Sequence, residues 1–379
     1  MAENENKPST ATLRAYVMFG VLALIWAYFH WSTDSIFLTP RNLANLMTQM
    51  SVTGILAIGM LMVIVSANID LSVGSVLGFS GAVAAYSLSV LDVGLVPSIA
   101  LSILIGMSIG FLHGTLTAYF NIPAFIVTLG GLLVWRGGVK WLLGGNTVPI
   151  ADESFKAIGQ SNLSATAGWI LAALALAGLV AIGFRAVRSA RKHSAEGVSL
   201  SAVALKLAFP ASAIVIFIAV MNSYQGVPVP VLIFLGVALV GVFLTTQTTF
   251  GRYLYAIGGN AEAARLSGIN NRLSIVKVFT ILGAFTGIAA LIFTARVGSS
   301  APDAGTLKEL DAIAACVIGG ASLMGGRGTV IGACIGALIM ASLDNGMSLL
   351  NVRDFMQDII KGSILVAAVG LDMYGRRHA

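Results

Sequence analysis

Three aspartates stand where the chain is otherwise apolar. Asp70 lies in Ser66-Ala67-Asn68-Ile69-Asp70-Leu71-Ser72-Val73-Gly74, a polar interruption between two hydrophobic runs. Asp311 follows Lys308-Glu309-Leu310, and Asp344 sits in Ser342-Leu343-Asp344-Asn345-Gly346. An ionised carboxylate in a low-dielectric medium is expensive, so it marks either a pair or a route for something polar. Asp70, with Ser72 beside it and Gly74 soon after, equally reads as the cap of a new helix. Asp311 reads as the cap of a short apolar segment, and Asp344 as half of a pair or part of a vestibule. Asn68, Asp70, Ser72, Asp311, Asp344 and Asn345 are the candidate residues of a solute pathway. Asp70 or Asp311 would be the proton carrier if a proton gradient drove the process.

Other chemistries lack their residues. No Gly-Lys dipeptide occurs, so there is no P-loop to cradle phosphates. His30, His113, His193 and His378 are scattered without an H-E-x-x-H pattern, and His113 reads as a helix-interior residue beside glycines. Cys316 and Cys334 read as small packing residues. No catalytic centre, metal site or cofactor is expected on this chain, and no nucleic-acid partner.

The most distinctive polar segment is 249–274. Its Gly258-Gly259-Asn260 reads as a turn, followed by Ala261-Glu262-Ala263-Ala264-Arg265-Leu266-Ser267-Gly268, a short Ala-rich helix ending at a glycine. So short a helix is marginal alone in water and needs something to dock on.

The elements around these residues must be membrane spans. Of 379 residues, 57% are hydrophobic and 10% charged, against about 45–50% and about 25% in soluble domains; mean hydropathy is +0.91. Segments near the length a bilayer requires are 15–33, 43–66, 71–91, 97–119, 123–143, 167–185, 203–222, 228–248, 275–296, 328–349 and 356–373, with 310–323 as a half-span. The fold class is an all-α polytopic bundle of about 10–12 transmembrane helices, with an inverted repeat and re-entrant or half helices. A tail at 1–14 precedes a single domain at 15–375, which contains an insert at 185–205 and the loop at 249–274. Net charge is +6. Placing both termini in the cytoplasm puts the Arg- and Lys-rich insert and the 249–274 loop inside, as the positive-inside rule asks, and puts 144–166 outside.

Glycines at i, i+4, i+8 form helix-packing seams at Gly106/Gly110/Gly114 and Gly328/Gly332/Gly336. Two echoes suggest an internal repeat. Ile69-Asp70-Leu71 before Gly78 matches Leu310-Asp311-Ala312 before Gly319, and Thr53-Gly54-Ile55 matches Thr286-Gly287-Ile288. Inverted repeats are a transporter device, because one half can rock against the other.

Three segments in order resemble the monosaccharide ABC-importer permease family: Ile69-Asp70-Leu71-Ser72-Val73-Gly74-Ser75, the loop from Ala256 to Asn270, and Glu309-Leu310-Asp311-Ala312-Ile313-Ala314-Ala315-Cys316-Val317-Ile318-Gly319-Gly320. The similarity runs from about Arg41 to the C-terminus, interrupted at 185–205. Tyr224-Gln225-Gly226-Val227-Pro228-Val229-Pro230, Ala341 to Ser348 and the basic insert are most similar to the xylose branch. The resemblance implies a lipid-embedded permease of the bacterial inner membrane. It would be paired with a second permease copy, a cytoplasmic ATP-binding subunit that carries ATP and Mg, and a periplasmic sugar-binding protein received in part by 144–166. It further implies that Gly258, Gly259, Asn260, Ala263, Ala264, Arg265, Leu266, Ser267 and Gly268 couple the permease to the ATPase.

Overall fold

The computed structural model describes residues 10–192 and 200–377; the rest of the expected tail and insert lies outside the described residues. Within them the chain is helical almost throughout. In order come α1 (Thr10–Ser32), α2 (Pro40–Val65), α3 (Val73–Ser89), α4 (Leu95–Tyr119), α5 (Ala124–Leu142), α6 (Glu153–Gln160), α7 (Ala165–Lys192) and α8 (Leu200–Asn222). Then follow α9 (Val229–Val242) with a π-helical extension at Phe243–Gln247, α10 (Thr249–Gly259), α11 (Ala261–Leu266), α12 (Asn271–Val297), α13 (Lys308–Ile318), α14 (Val330–Leu349) and α15 (Asp354–Arg377). Among the described residues seven are long and apolar enough to cross a bilayer, α3 (Val73–Ser89) is a shorter apolar helix, and α1 and α8 are apolar over Val17–Ser32 and Leu207–Asn222. The protein is an all-α, multi-pass membrane protein. Eleven full spans were expected; α15 has the length but is interrupted by Asp354, Asp358 and Lys361.

Lipid offers no hydrogen bonds, so every break in a span must satisfy its backbone within the protein. Two such breaks lie in the bundle. The first, 66–72, follows α2: Ser66, Ala67 and Asn68 return their N–H groups to carbonyls of the last turn, and Ala67 takes a left-handed φ of 61°. The second, 298–307, follows α12 and is a chain of tight turns, Ala304 N–H to Ala301 O and Thr306 N–H to Asp303 O. A two-residue antiparallel ladder covers it, β1 (Val148–Pro149) pairing with β2 (Ser299–Ser300). One helix braces both breaks. On α5, Thr128 Oγ1 lies 3.4 Å from Ile69 O, and Arg136 Nη1 donates to Ala304 O at 2.6 Å.

The packing is an inverted repeat. Short α3 follows α2 but packs on α12, and short α13 follows α12 but packs on α2. Likewise α4 packs on α12 while α14 packs on α2. Gly59 of α2 meets Leu282 and Phe285 of α12, while Gln49 and Thr53, earlier on α2, line a cavity with Phe293 and Arg296; α2 and α12 therefore run antiparallel. The Thr-Gly-Ile echo falls at matching depths of α2 and α12. The Asp echo does not. Asp70 precedes its helix, whereas Asp311 is the fourth residue of α13, whose start is set by Leu307 at φ 62°.

Glycines bring these helices together. On α4, a Cβ at Gly106 would overlap the Gly283 carbonyl, and one at Gly110 that of Phe279. The second seam differs from expectation: Gly332 and Gly336 pack against Gly319 and Ala315, but Gly328 lies before α14 in irregular backbone with φ 148°.

Gly106→Val should therefore lower the stability of the purified chain by about 1–3 kcal/mol or more, as core overpacking does. Gly130→Val, where a Cβ meets nothing within 4 Å, should leave it unchanged; thermal unfolding of the two variants side by side checks this.

Candidate functional site

The six pathway candidates fall in three places. Asn68, Asp70 and Ser72 stay at the first break. Asn68 is tied to Ser66 by its Nδ2, 2.9 Å from the carbonyl. Asp70, 4% exposed, accepts from the Ser72 N–H at 2.7 Å and the Ser72 hydroxyl at 2.6 Å. This side-chain turn precedes α3, but the N-cap of that helix is Ser72, without a side-chain cap bond, so Asp70 is not the cap that the sequence suggests. The sequence did not show what else meets it. The Ser72 hydroxyl lies 3.3 Å from His113 Nδ1, and His113 Nδ1 is 4.0 Å from Asp70 Oδ2. Trp135 Nε1 donates to His113 Nε2 at 3.2 Å, which leaves the proton of a neutral ring on Nδ1, facing Ser72 and Asp70. Gly131 makes room: a Cβ there would strike the imidazole. His113 thus belongs to the break, although in the sequence only its neighbouring glycines are visible.

Asp311 and Asp344 come together at the start of α13; Asp311 lies in the first turn and is not the cap of that helix, which is Leu307. Lys308 Nζ lies 2.6 Å from Asp311 Oδ2 and 3.7 Å from Asp344 Oδ2. Lys361 Nζ lies 3.3 Å from Asp311 Oδ1 and 3.2 Å from Asp344 Oδ1. Two carboxylates and two ammoniums close a neutral ring across α13, α14 and α15. Glu309, buried beside it, has no hydrogen-bond partner for Oε2 among the described residues. That oxygen sits against Gly74 in the first turn of α3, where a Cβ would collide with it. Asn345 lies apart: its Oδ1 accepts from Asn42 Nδ2 at 2.8 Å, fastening α14 to the start of α2.

The 249–274 loop departs from expectation in a way that matters. Gly258 and Gly259 are not a turn but the last residues of α10, and the chain turns at Asn260. Asn260 caps α11, its Oδ1 accepting from Ala263 N–H at 2.9 Å. Behind the helix, Gly268 takes φ 84°, and Ser267 Oγ donates to Ala263 O. Arg265 holds Glu262 through two bonds, 2.6 and 3.1 Å, which keeps that carboxyl below its ordinary pKa. Only Ala264 of α11 is buried, and Leu266 is 76% exposed.

Behind α11, α10 lies against both halves of the repeat. Gly258 packs on the carbonyl of Val65, the last residue of α2, with no room for a Cβ. That same carbonyl accepts from Gly326 N–H at 2.9 Å. Tyr255 donates its hydroxyl to Gly328 O at 2.8 Å, and burial raises the phenol pKa, so it stays a donor. An exposed helix is thereby joined through α10 to the first break and to the 320–329 segment that links α13 to α14 in the second half.

The comparisons with known proteins are consistent with this arrangement. The family model described as branched-chain amino acid transport system / permease component matches residues 42–369. The chain is 45% identical over 367 residues to the xylose transport system permease protein of Escherichia coli strain K12, covering 97% of this chain and 93% of that one. It is 45% identical over 371 residues to the protein of the same description from Haemophilus influenzae, covering 98% and 99%. To the ribose import permease protein of Escherichia coli strain K12 it is 36% identical over 337 residues, covering 89% and 87%. No solved structure matches.

Removing one member of the buried ring leaves an uncompensated charge, which costs about 3–5 kcal/mol. Asp311→Asn should destabilise the purified chain on that scale, and adding Lys361→Met should recover part of the loss. A double-mutant cycle in denaturant reads the coupling directly; independent, additive losses would show that the ring is not one unit.

Proposed function

Starting from a chain that belongs to the branched-chain amino acid transport system / permease component family, and is thus a multi-pass permease subunit, we propose that it forms the membrane pathway of an ATP-driven importer for a monosaccharide, D-xylose. The observation that carries the reading is the join between exposed α11 and the two halves of an inverted repeat. A permease worked by a separate motor needs a handle on one face and a rigid connection from it to the elements that move. α11 is the handle and α10 the connection.

The motor is a cytoplasmic ATP-binding subunit, for which this chain carries no P-loop. Both termini and α11 face the cytoplasm, a periplasmic sugar-binding protein delivers the cargo at the opposite end, and two permease copies stand side by side. ATP and Mg belong to the motor. Glu262, Arg265 and Leu266 lie on the surface it meets. When the ATP-binding subunits close, α11 and α10 move together, and the force reaches Val65 before the first break and Gly326 between α13 and α14 of the second half. The xylose assignment rests on the two relatives of that description, each aligned over nearly the whole chain.

Proton coupling through Asp70 or Asp311 is not favoured. Asp311 is neutralised by two lysines, and Asp70 has both Ser72 groups on one oxygen.

Leu266→Asp and Arg265→Glu alter only exposed atoms, so neither should change insertion or folding. In proteoliposomes holding the permease, the ATP-binding subunit and the binding protein, each should abolish ATP-driven xylose uptake. Normal uptake by both variants would dismiss α11 as the docking element.

A further inference from the structure

A cavity of about 580 Å³ opens at the end of the bundle away from α11. Its wall includes Arg41, Asn45 and Thr48 from the first turns of α2, Gln160 at the end of α6, Tyr224 after α8 and Arg296 at the end of α12. Below it lies a smaller cavity of about 60 Å³, bounded by Gln49, Thr53, Lys308 and Asp344, and Arg296 lines both.

Three observations say that something polar passes here. First, α2 is buried over most of its length, yet Asn45, Thr48, Gln49 and Thr53 recur at the three- and four-residue intervals that place them on one face. A polar stripe inside a span is tolerated where it lines a water-filled or ligand-filled space. Second, the wall has unused hydrogen-bonding capacity. Among the described residues no carboxylate pairs with Arg41 or Arg296, and the Gln160 amide N–H groups go to Ala295 O and Arg296 O, leaving its Oε1 free. Third, the volume is within the range of about 300–1,000 Å³ typical of small-molecule sites. Guanidinium forks donate to adjacent hydroxyls, Asn45 and Gln160 accept, and the exposed Tyr224 ring offers an apolar face to carbon. That mixture suits a neutral polyhydroxylated molecule.

We propose that this cavity is where the monosaccharide enters the permease, that the α2 stripe is the wall along which it descends, and that Arg296 with the Lys308–Asp311–Asp344–Lys361 ring beneath it closes the floor in this conformation. The proposal rests on the sugar-importer reading above. The floor joins α13, α14 and α15, the second half of the repeat, while the stripe belongs to α2 of the first. Rocking one half against the other would therefore open the way down. Attraction within the cavity must stay weak, since a site that held the sugar tightly would not release it.

The test uses the complete importer in proteoliposomes, with labelled xylose as probe. Asn45→Cys and Thr48→Cys are each treated from the binding-protein side with a bulky, membrane-impermeant thiol reagent. Ser89→Cys, at the exposed end of α3, serves as control. The native Cys316 is buried and Cys334 partly so, and the parent chain gives their background. Before treatment all three variants should insert and assemble with the ATP-binding subunit at the level of the parent chain, which establishes that they fold, and each treated importer is compared with the same variant untreated. After treatment Asn45→Cys and Thr48→Cys should lose xylose uptake, Ser89→Cys should keep it, and docking of the sugar-loaded binding protein should be unchanged in all three. Stoichiometric modification of Asn45→Cys without loss of uptake overturns the proposal, and so does failure of both cavity positions to react. Loss of docking instead of passage would make the cavity a protein-binding surface and overturn it equally. An untreated parent importer that moves no monosaccharide would sink the sugar reading itself, an outcome distinct from a transporting parent whose cavity variants are indifferent to the reagent.

Discussion

The carbonyl of Val65 is the point on which the molecule's parts converge. It ends α2, receives the Gly326 N–H, and lies directly under Gly258 of α10. Three backbones meet there with no side chain between them, and only glycine at 258 and 326 permits it. Backbone contact matters mechanically. A long side chain yields to a small displacement by changing rotamer, whereas packed main chain passes it on, because close-packed interiors have little free volume to absorb it. Motion of α10 is therefore delivered to the end of α2 and to the segment leading into α14 together.

What receives that motion is organised by the absence of water in a bilayer. A span can be interrupted only where the freed backbone groups find partners inside the protein, and both interruptions here do so by tight local turns and by donors from α5. The exchange of partners between halves, α3 and α4 on α12, α13 and α14 on α2, means that neither half folds around its own first helix. The two are interlocked about the antiparallel α2–α12 pair, and glycine seams let the helices approach to backbone distance. Such an interface is suited to two discrete packings rather than to gradual deformation.

Much of this was legible in the sequence. Apolar runs marked most of the helices, the short 310–323 segment appeared as α13, and 249–274 stood out as a polar segment between apolar helices. The losses have physical reasons. A helix that faces lipid on one side and protein on the other is apolar on both and shows no amphipathic period, so the sequence could not say that His113 faces Asp70, nor that Lys361, 50 residues from Asp311, completes a ring with it. Glu309 was unremarked because its partner surface, Gly74, is an absence of side chain. Gly258 and Gly259 were read as a turn because paired glycines usually are one; here the first is needed for contact and the chain turns one residue after the second. The Asp echo misled for a related reason: eight-residue spacing was kept while the helix starts were not.

The central claim is that α10 transmits force through its glycine seat. It is tested most directly by the number of ATP molecules hydrolysed per sugar imported, measured in proteoliposomes that hold equal amounts of the complete importer with Gly258→Ala or Gly259→Ala. A Cβ at 258 must displace α10 from Val65, whereas one at 259 meets nothing within 4 Å. The account predicts that hydrolysis continues but import falls in the first, and that the second keeps the ratio of the unsubstituted chain. A Gly258→Ala importer as tightly coupled as the unsubstituted one would contradict it.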